Sequence, residues 1–138
     1  MAKDTFHCCV ITPEQAVLET EATFVAFPAW DGEVGILHDR APLLFKMGTG
    51  ELRVEGPDGK QTLFVDGGFA QMVDNKLTLL TEQAKKIGEI DAAAAEKALA
   101  AARTMPMVTD AAFNTRQHAV QSAEAQLHLV AKHGGARH

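Results

Sequence analysis

The apolar positions of this chain follow two different periods, and the change falls near Gly88. Upstream, short segments alternate or run apolar and then meet a turn former. Phe6 to Thr12 reads as a strand that Pro13-Glu14 breaks, and Ala16 to Thr20 as a second. Glu21 to Phe27 alternates, with Thr23, Val25 and Phe27 on one face, and Pro28 to Gly32 makes a loop. Glu33 to Leu37 resumes the strand pattern, His38 to Pro42 forms another loop, and Leu43 to Met47 is apolar. Glu51 to Glu55 places Leu52 and Val54 inward with charges outward, and Pro57-Asp58-Gly59 marks a turn. Thr62 to Asp66, Phe69 to Val73 and Leu77 to Thr81 complete the series. Gly67-Gly68 reads as a tight junction or bulge, and Asp74-Asn75-Lys76 as a hairpin turn. Many short strands at close spacing predict a sandwich or a barrel-like sheet pair.

Downstream the period becomes helical. Asp91 is a candidate N-cap, and Ala occupies seven of the ten positions that follow it. The pattern predicts a helix over 92–105, ended by Pro106, which lacks a backbone donor. Thr109 or Asp110 caps a second helix that runs to about Lys132 and stops at Gly134-Gly135. Phe113, Val120 and Leu127 recur every seven residues, with Ala112, Ala119, Ala123 and Val130 beside them, an apolar stripe on a polar helix. A loop of about four residues makes the pair an antiparallel hairpin. Alanine buries little area, so this interface is weak compared with a leucine-rich one. The expected domains are a sandwich over 1–87 and a helical hairpin over 88–138.

Composition narrows the partners. The 138 residues carry a formal net charge of -5, which argues against nucleic acid and gives no polybasic signal for anionic lipid. The charge is uneven. Residues 1–89 hold fourteen acids and eight bases, and residues 90–138 hold four acids and five bases with His118, His128, His133 and His138. The tail can meet an acidic partner surface or simply be a solvated helix face. No apolar run approaches a bilayer span, and Met1-Ala2-Lys3-Asp4 leads straight into a strand without a leader pattern. Cys8 and Cys9 are adjacent, so on a strand they point to opposite faces, one buried and one partly exposed in a reducing compartment.

Candidate chemistry is sparse. Asp66-Gly67-Gly68-Phe69-Ala70 lacks the Lys-Ser/Thr of a phosphate-cradling loop. His38-Asp39-Arg40 is the most reactive-looking cluster, yet it has no nucleophile motif or metal-spaced histidine pair beside it. His118 and His128 sit about 80° and about 15 Å apart on one helix and cannot share a metal. Asp31 and Glu33 resemble a carboxylate pair, but they lie beside Gly32 and Gly35 in an exposed turn.

The run from Gly32 to Leu43 (Gly-Glu-Val-Gly-Ile-Leu-His-Asp-Arg-Ala-Pro-Leu) resembles the signature of the epsilon subunits of F-type ATP synthases. Thr12-Pro13-Glu14, the Phe64 to Phe69 junction, the Asn75 to Ala84 segment and Ile90-Asp91 follow in the family's order, so the resemblance spans residues 6 to about 130. It implies a ten-stranded β-sandwich followed by a two-helix hairpin, in a non-catalytic rotor subunit. The sandwich would bind the gamma subunit and sit on the ring of c subunits. The helices would dock or extend, and when extended would contact a beta subunit and inhibit hydrolysis. Glu33, His38, Asp39 and Arg40 would form the c-ring and gamma contacts, with Arg40 where the family commonly has His. Arg116 and Lys132, with Arg137, would be the cations facing beta. Ile90, Asp91 and Ala95 match a hairpin nucleotide motif in which Ala94 replaces the arginine, which predicts weak or absent ATP binding. No other cofactor and no metal is implied. The place would be the cytoplasmic face of the inner membrane, peripheral and through the complex, ahead of a thylakoid. Two competing readings are a free-standing ligand-binding sandwich capped by the hairpin, and a small enzyme using His38 and Asp39.

Overall fold

The computed structural model describes residues 4–29 and 32–134. Asp31, Gly135, Arg137, His138 and the first three residues, which carry parts of the reading above, lie outside the described residues. The chain divides into two compact units, Met1–Lys86 and Ile87–His138.

The first unit is a sandwich of ten strands. They are β1 (Phe6–Ile11), β2 (Ala16–Ala22), β3 (Phe24–Ala29), β4 (Gly32–Ile36), β5 (Leu43–Lys46), β6 (Thr49–Gly56), β7 (Gly59–Asp66), β8 (Phe69–Val73), β9 (Lys76–Leu80) and β10 (Ala84–Lys86). One sheet has the order β2-β1-β9-β8-β5 and the other β10-β7-β6-β3-β4. All pairings are antiparallel except β1 with β9, where Cys8 lies beside Leu77 and Val10 beside Leu79. Phe6, Cys8, Val10, Val25, Phe27, Leu52, Val54, Leu63, Val65, Met72, Leu77 and Leu79 form the core between the sheets. Period-two alternation selects these residues on each strand. Phe27 meets Phe45 with ring centroids 6.0 Å apart in a tilted arrangement.

Three local expectations are corrected. The alternation from Glu21 to Phe27 is not one strand: Thr23 sits at the break between β2 and β3, where its N–H and Oγ1 both donate to the Glu55 carbonyl. Pro28 is not in a loop but lies in β3, one residue before its end and opposite Glu33, beyond the stretch that pairs with β6, where a missing N–H costs little. Cys9 is not partly exposed: it is 8 % exposed on the outer face, flanked in register by Glu19 and Thr78. Burial pushes the Cys8 thiol up to about 12 and raises Cys9 as well. Both thiols are therefore protonated and unreactive at neutral pH.

The chain crosses between sheets at its junctions, and two crossings are zipped together. The Met47 N–H donates to the Gly68 carbonyl at 2.8 Å, and the Gly67 N–H to the Gly48 carbonyl at 3.0 Å. Gly67 and Gly68 have φ of 72° and 105°, backbone that L side chains rarely adopt. A Cβ at Gly68 would also collide with the carbonyl of Leu80. Asp66, 6 % exposed, accepts from Thr49 Oγ1 at 2.9 Å, and its N–H donates to Gln83 O and Thr81 Oγ1 where β9 passes to β10.

The second unit opens with a 3₁₀ turn at Ile87–Glu89, followed by helices α1 (Ala92–Arg103) and α2 (Asp110–Leu129) and a π-type turn at Val130–Gly134. Asp91 caps α1 by accepting from the Ala94 N–H, and Thr109 caps α2 by accepting from Ala112. Helix α1 ends at Arg103, two residues before the expected Met105. A proline at 106 would clash with the carbonyl four residues back and restricts Met105 before it. The last carbonyls are served by Thr104 and Met105 instead. Of the apolar stripe expected on α2, Ala123 is buried and Ala112, Ala119, Val120, Leu127 and Val130 are half-buried, while Phe113 is 44 % exposed; Gln126 and Leu129 are the other buried positions.

Gly68→Ala is expected to destabilise the sandwich by roughly 2–4 kcal/mol through backbone strain and the Leu80 collision. Thermal unfolding of the variant measures this; a midpoint within a degree of the parent would refute the role given to this corner.

Candidate functional site

The candidate site lies where β4 leaves its sheet. The segment from Leu37 to Pro42 carries the chain from β4 to β5 and so from one sheet to the other. It is held by one residue of the β8–β9 turn. Asp74 and Asn75 have φ of 51° and 59°, the left-handed pair that a two-residue hairpin between Val73 and Lys76 requires. The Asn75 side chain then bonds Asp39 twice. Its Oδ1 accepts from the Asp39 N–H at 2.6 Å, and its Nδ2 donates to Asp39 Oδ1 at 2.8 Å. The Asn75 carbonyl accepts from the His7 N–H at 2.9 Å, tying the start of β1 to the same point. Asp39 itself has φ of 58°, which Asp and Asn tolerate better than other side-chain-bearing residues.

His38 extends this polar clamp. Its Nδ1 lies 3.0 Å from Asp39 Oδ2 and its Nε2 3.7 Å from Asp4 Oδ1. The Asn75 hydrogen bond and then the His38 bond hold the Asp39 carboxyl below its ordinary range. Arg40 is exposed just after the clamp, and Leu37 just before it is 57 % exposed. The arrangement fixes a loop and displays an apolar and a basic side chain. It brings no nucleophile to the histidine, and no group of His, Cys, Asp or Glu able to hold a metal occurs among the described residues.

Glu33 is separate. It lies on β4, where its Oε1 receives Arg53 Nη2 at 3.1 Å. Four strand positions separate it from Leu37, about 13 Å, so it does not join His38, Asp39 and Arg40. Ile90, Asp91 and Ala95 also have structural duties. Ile90 and Ala95 are buried, Asp91 caps α1, and the Ala94 that stands in the motif's arginine position is exposed. Arg116 donates to the Arg103 carbonyl at 3.3 Å within the hairpin, and Lys132 is exposed beyond α2.

The clearest surface feature was missing from the sequence reading. Leu44, Phe69, Val73 and Leu80 are 66 %, 51 %, 39 % and 50 % exposed. Register places Phe69 between Lys46 and Leu80, with Leu44 opposite Gln71 on the same strand pair. They share the outer face of one sheet. Beside Phe69 and Leu80 runs an open groove of about 360 Å³ that Ile11, Pro13 and Gly68 also line. The alternation of β5, β8 and β9 carries this signal, because both faces of these strands are apolar in places.

Residues 5–87 match the family described as ATP synthase, Delta/Epsilon chain, beta-sandwich domain. The chain is also 41 % identical over 123 residues to the ATP synthase epsilon chain of Rhodopirellula baltica, covering 89 % of this chain and 96 % of that one. The chain belongs to the ATP synthase epsilon family. Membership makes it a rotor subunit of the F-type enzyme and not its catalytic one. The epsilon chain of Alkalilimnicola ehrlichii is 37 % identical over 95 residues, 68 % of each chain. A chain in the mitochondrial ATP synthase of Euglena gracilis, in a structure of OSCP, F1 and c-ring, has the same fold with a TM-score of 0.76 at 23 % identity, covering 94 % of this chain and 82 % of that one. The Rhodopirellula match covers more than the sandwich, so the epsilon likeness continues into the helices.

Asn75→Gly keeps the left-handed turn and removes the Asp39 clamp. We expect it to lower stability and to return the Asp39 carboxyl toward its ordinary value. In the parent, the lowered Asp39 value means that the clamp's contribution is complete above about pH 4 and is lost as pH falls through the folded value. Carboxyl titration by NMR reads the shift and thermal unfolding across pH reads the stability, and an Asp39 titration indifferent to Asn75→Gly would show that Asn75 does not hold the carboxyl.

Proposed function

We propose that this chain couples rotation in the central stalk through three surfaces. The outer face bearing Leu44, Phe69, Val73 and Leu80 docks on the gamma subunit. The support is the exposed apolar patch itself, which soluble proteins reserve for partners. Glu33 turns toward the ring of c subunits. His38, Asp39 and Arg40, about one strand length away, meet gamma or the ring at a second point. The clamp on Asp39 supports this reading, because it fixes a loop that displays Leu37 and Arg40 at the surface.

The helical unit is the regulatory part. Within its two helices the buried positions are Ala95, Ala102 and Ala123 with Gln126 and Leu129, so little apolar area holds the helices. In an extended arrangement Arg116 and Lys132 face an acidic surface of a beta subunit and slow ATP hydrolysis. ATP itself is not a ligand of the hairpin in this reading, since Ala94 offers no cationic fork and Asp91 is committed to the cap. The work is done on the cytoplasmic face of the membrane, peripherally and through the complex.

Co-purification with gamma from the same source tests the docking face. Phe69→Asp is expected to weaken the complex roughly tenfold or more, while Glu33→Gln leaves it intact. Hydrolysis by the assembled enzyme should rise when the chain is ended at Gly88. Equal gamma affinity for parent and Phe69→Asp would send the docking face elsewhere, and unchanged hydrolysis after truncation would discard the brake.

A further inference from the structure

Three charged side chains link α1 to α2. Arg116 sends Nη2 to the carbonyl oxygen of Arg103 at 3.3 Å. Arg103, the last residue of α1, sends its own Nη2 to Glu124 Oε2 at 3.6 Å. One residue at the end of α1 is thus gripped from two places on α2, eight positions apart and about 12 Å along the axis.

The chemistry suits a helix end. The final carbonyls of a helix have no intrahelical donor and carry the negative end of its dipole. Thr104 and Met105 serve Ala101 and Ala102, and Arg116 serves Arg103. A guanidinium from the neighbouring helix therefore completes the cap of α1 only while the two helices lie together. The hold is incomplete, because Arg116 Nε is buried and without a partner. Opening the helices would hydrate that N–H and free the fork for a carboxylate. Arg103 and Glu124 are 59 % and 54 % exposed, so their attraction is screened by salt.

We propose that Arg103, Arg116 and Glu124 form a latch that keeps α1 and α2 closed on each other, and that Arg116 reaches a carboxylate-bearing partner surface only once the latch opens. Cap and partner compete for one guanidinium. The second half rests on the reading that the hairpin meets an acidic surface; the latch itself does not.

The test uses the full chain with spin labels at the exposed positions 97 and 121, and reads the distance between the helices. Glu124→Gln should raise the open fraction about twofold and Arg116→Ala roughly tenfold, with the far-ultraviolet helix signal unchanged. Added salt should open the parent and leave Glu124→Gln less responsive. Distances unmoved by either substitution, or a lost helix signal in place of separation, would overturn the latch. In the assembled enzyme, Glu124→Gln should strengthen inhibition and Arg116→Ala weaken it although it opens the hairpin. Equal inhibition by both variants would overturn the competition for Arg116. Should ending the chain at Gly88 leave hydrolysis unchanged, the brake reading fails by that result alone, and the distance measurements still decide the latch.

Discussion

The sandwich depends on one corner, where the chain must pass between sheets at nearly the same place more than once. Strands β5 and β6, and strands β7 and β8, are consecutive in sequence and lie in opposite sheets. The two crossings can share a corner because Gly67 and Gly68 allow a backbone that no side chain tolerates well, and because Met47–Gly48 and Gly67–Gly68 exchange hydrogen bonds there. Asp66 brings the β9–β10 passage to the same point through Thr81 and Gln83.

Most strands were legible because alternation is a local signal. Glu51 to Glu55 alternates, and Leu52 and Val54 are indeed in the core. What alternation cannot carry is pairing between strands distant in sequence. The parallel match of β1 with β9 joins Cys8 to Leu77, and nothing in either segment announces the other. Helix α2 departs from its pattern at one end: in the seven-residue recurrence of Phe113, Val120 and Leu127 the second and third are half-buried and the first is 44 % exposed, and Leu129, outside the recurrence, is buried with Ala123 and Gln126.

The loop at His38-Asp39-Arg40 was legible as polar and distinctive, but its purpose was not. Its meaning depends on Asn75, which is 36 positions downstream of Asp39 and reads locally as a turn former. Asn75 is both, because the left-handed turn that its backbone makes also aims its amide at Asp39. A resemblance of sequence could point to the segment without revealing this. Likewise Ile90 and Ala95 are buried and Asp91 caps α1, duties of packing and capping that the motif's letters alone do not announce.

Rigidity is distributed unevenly between the two units, and this bears on how a rotor part can also regulate. The sandwich has a core of large side chains from both sheets and a loop fixed by paired amide bonds. Burial of that kind resists partial opening, because a gap loses contacts on both sides. The helices bury mostly alanine and rely on charges at the surface. Alanine favours the helical state at each position and contributes little buried area to the union of the two helices, so few contacts oppose a change in their arrangement. A leucine-rich pair would have gained a tighter union and lost that freedom.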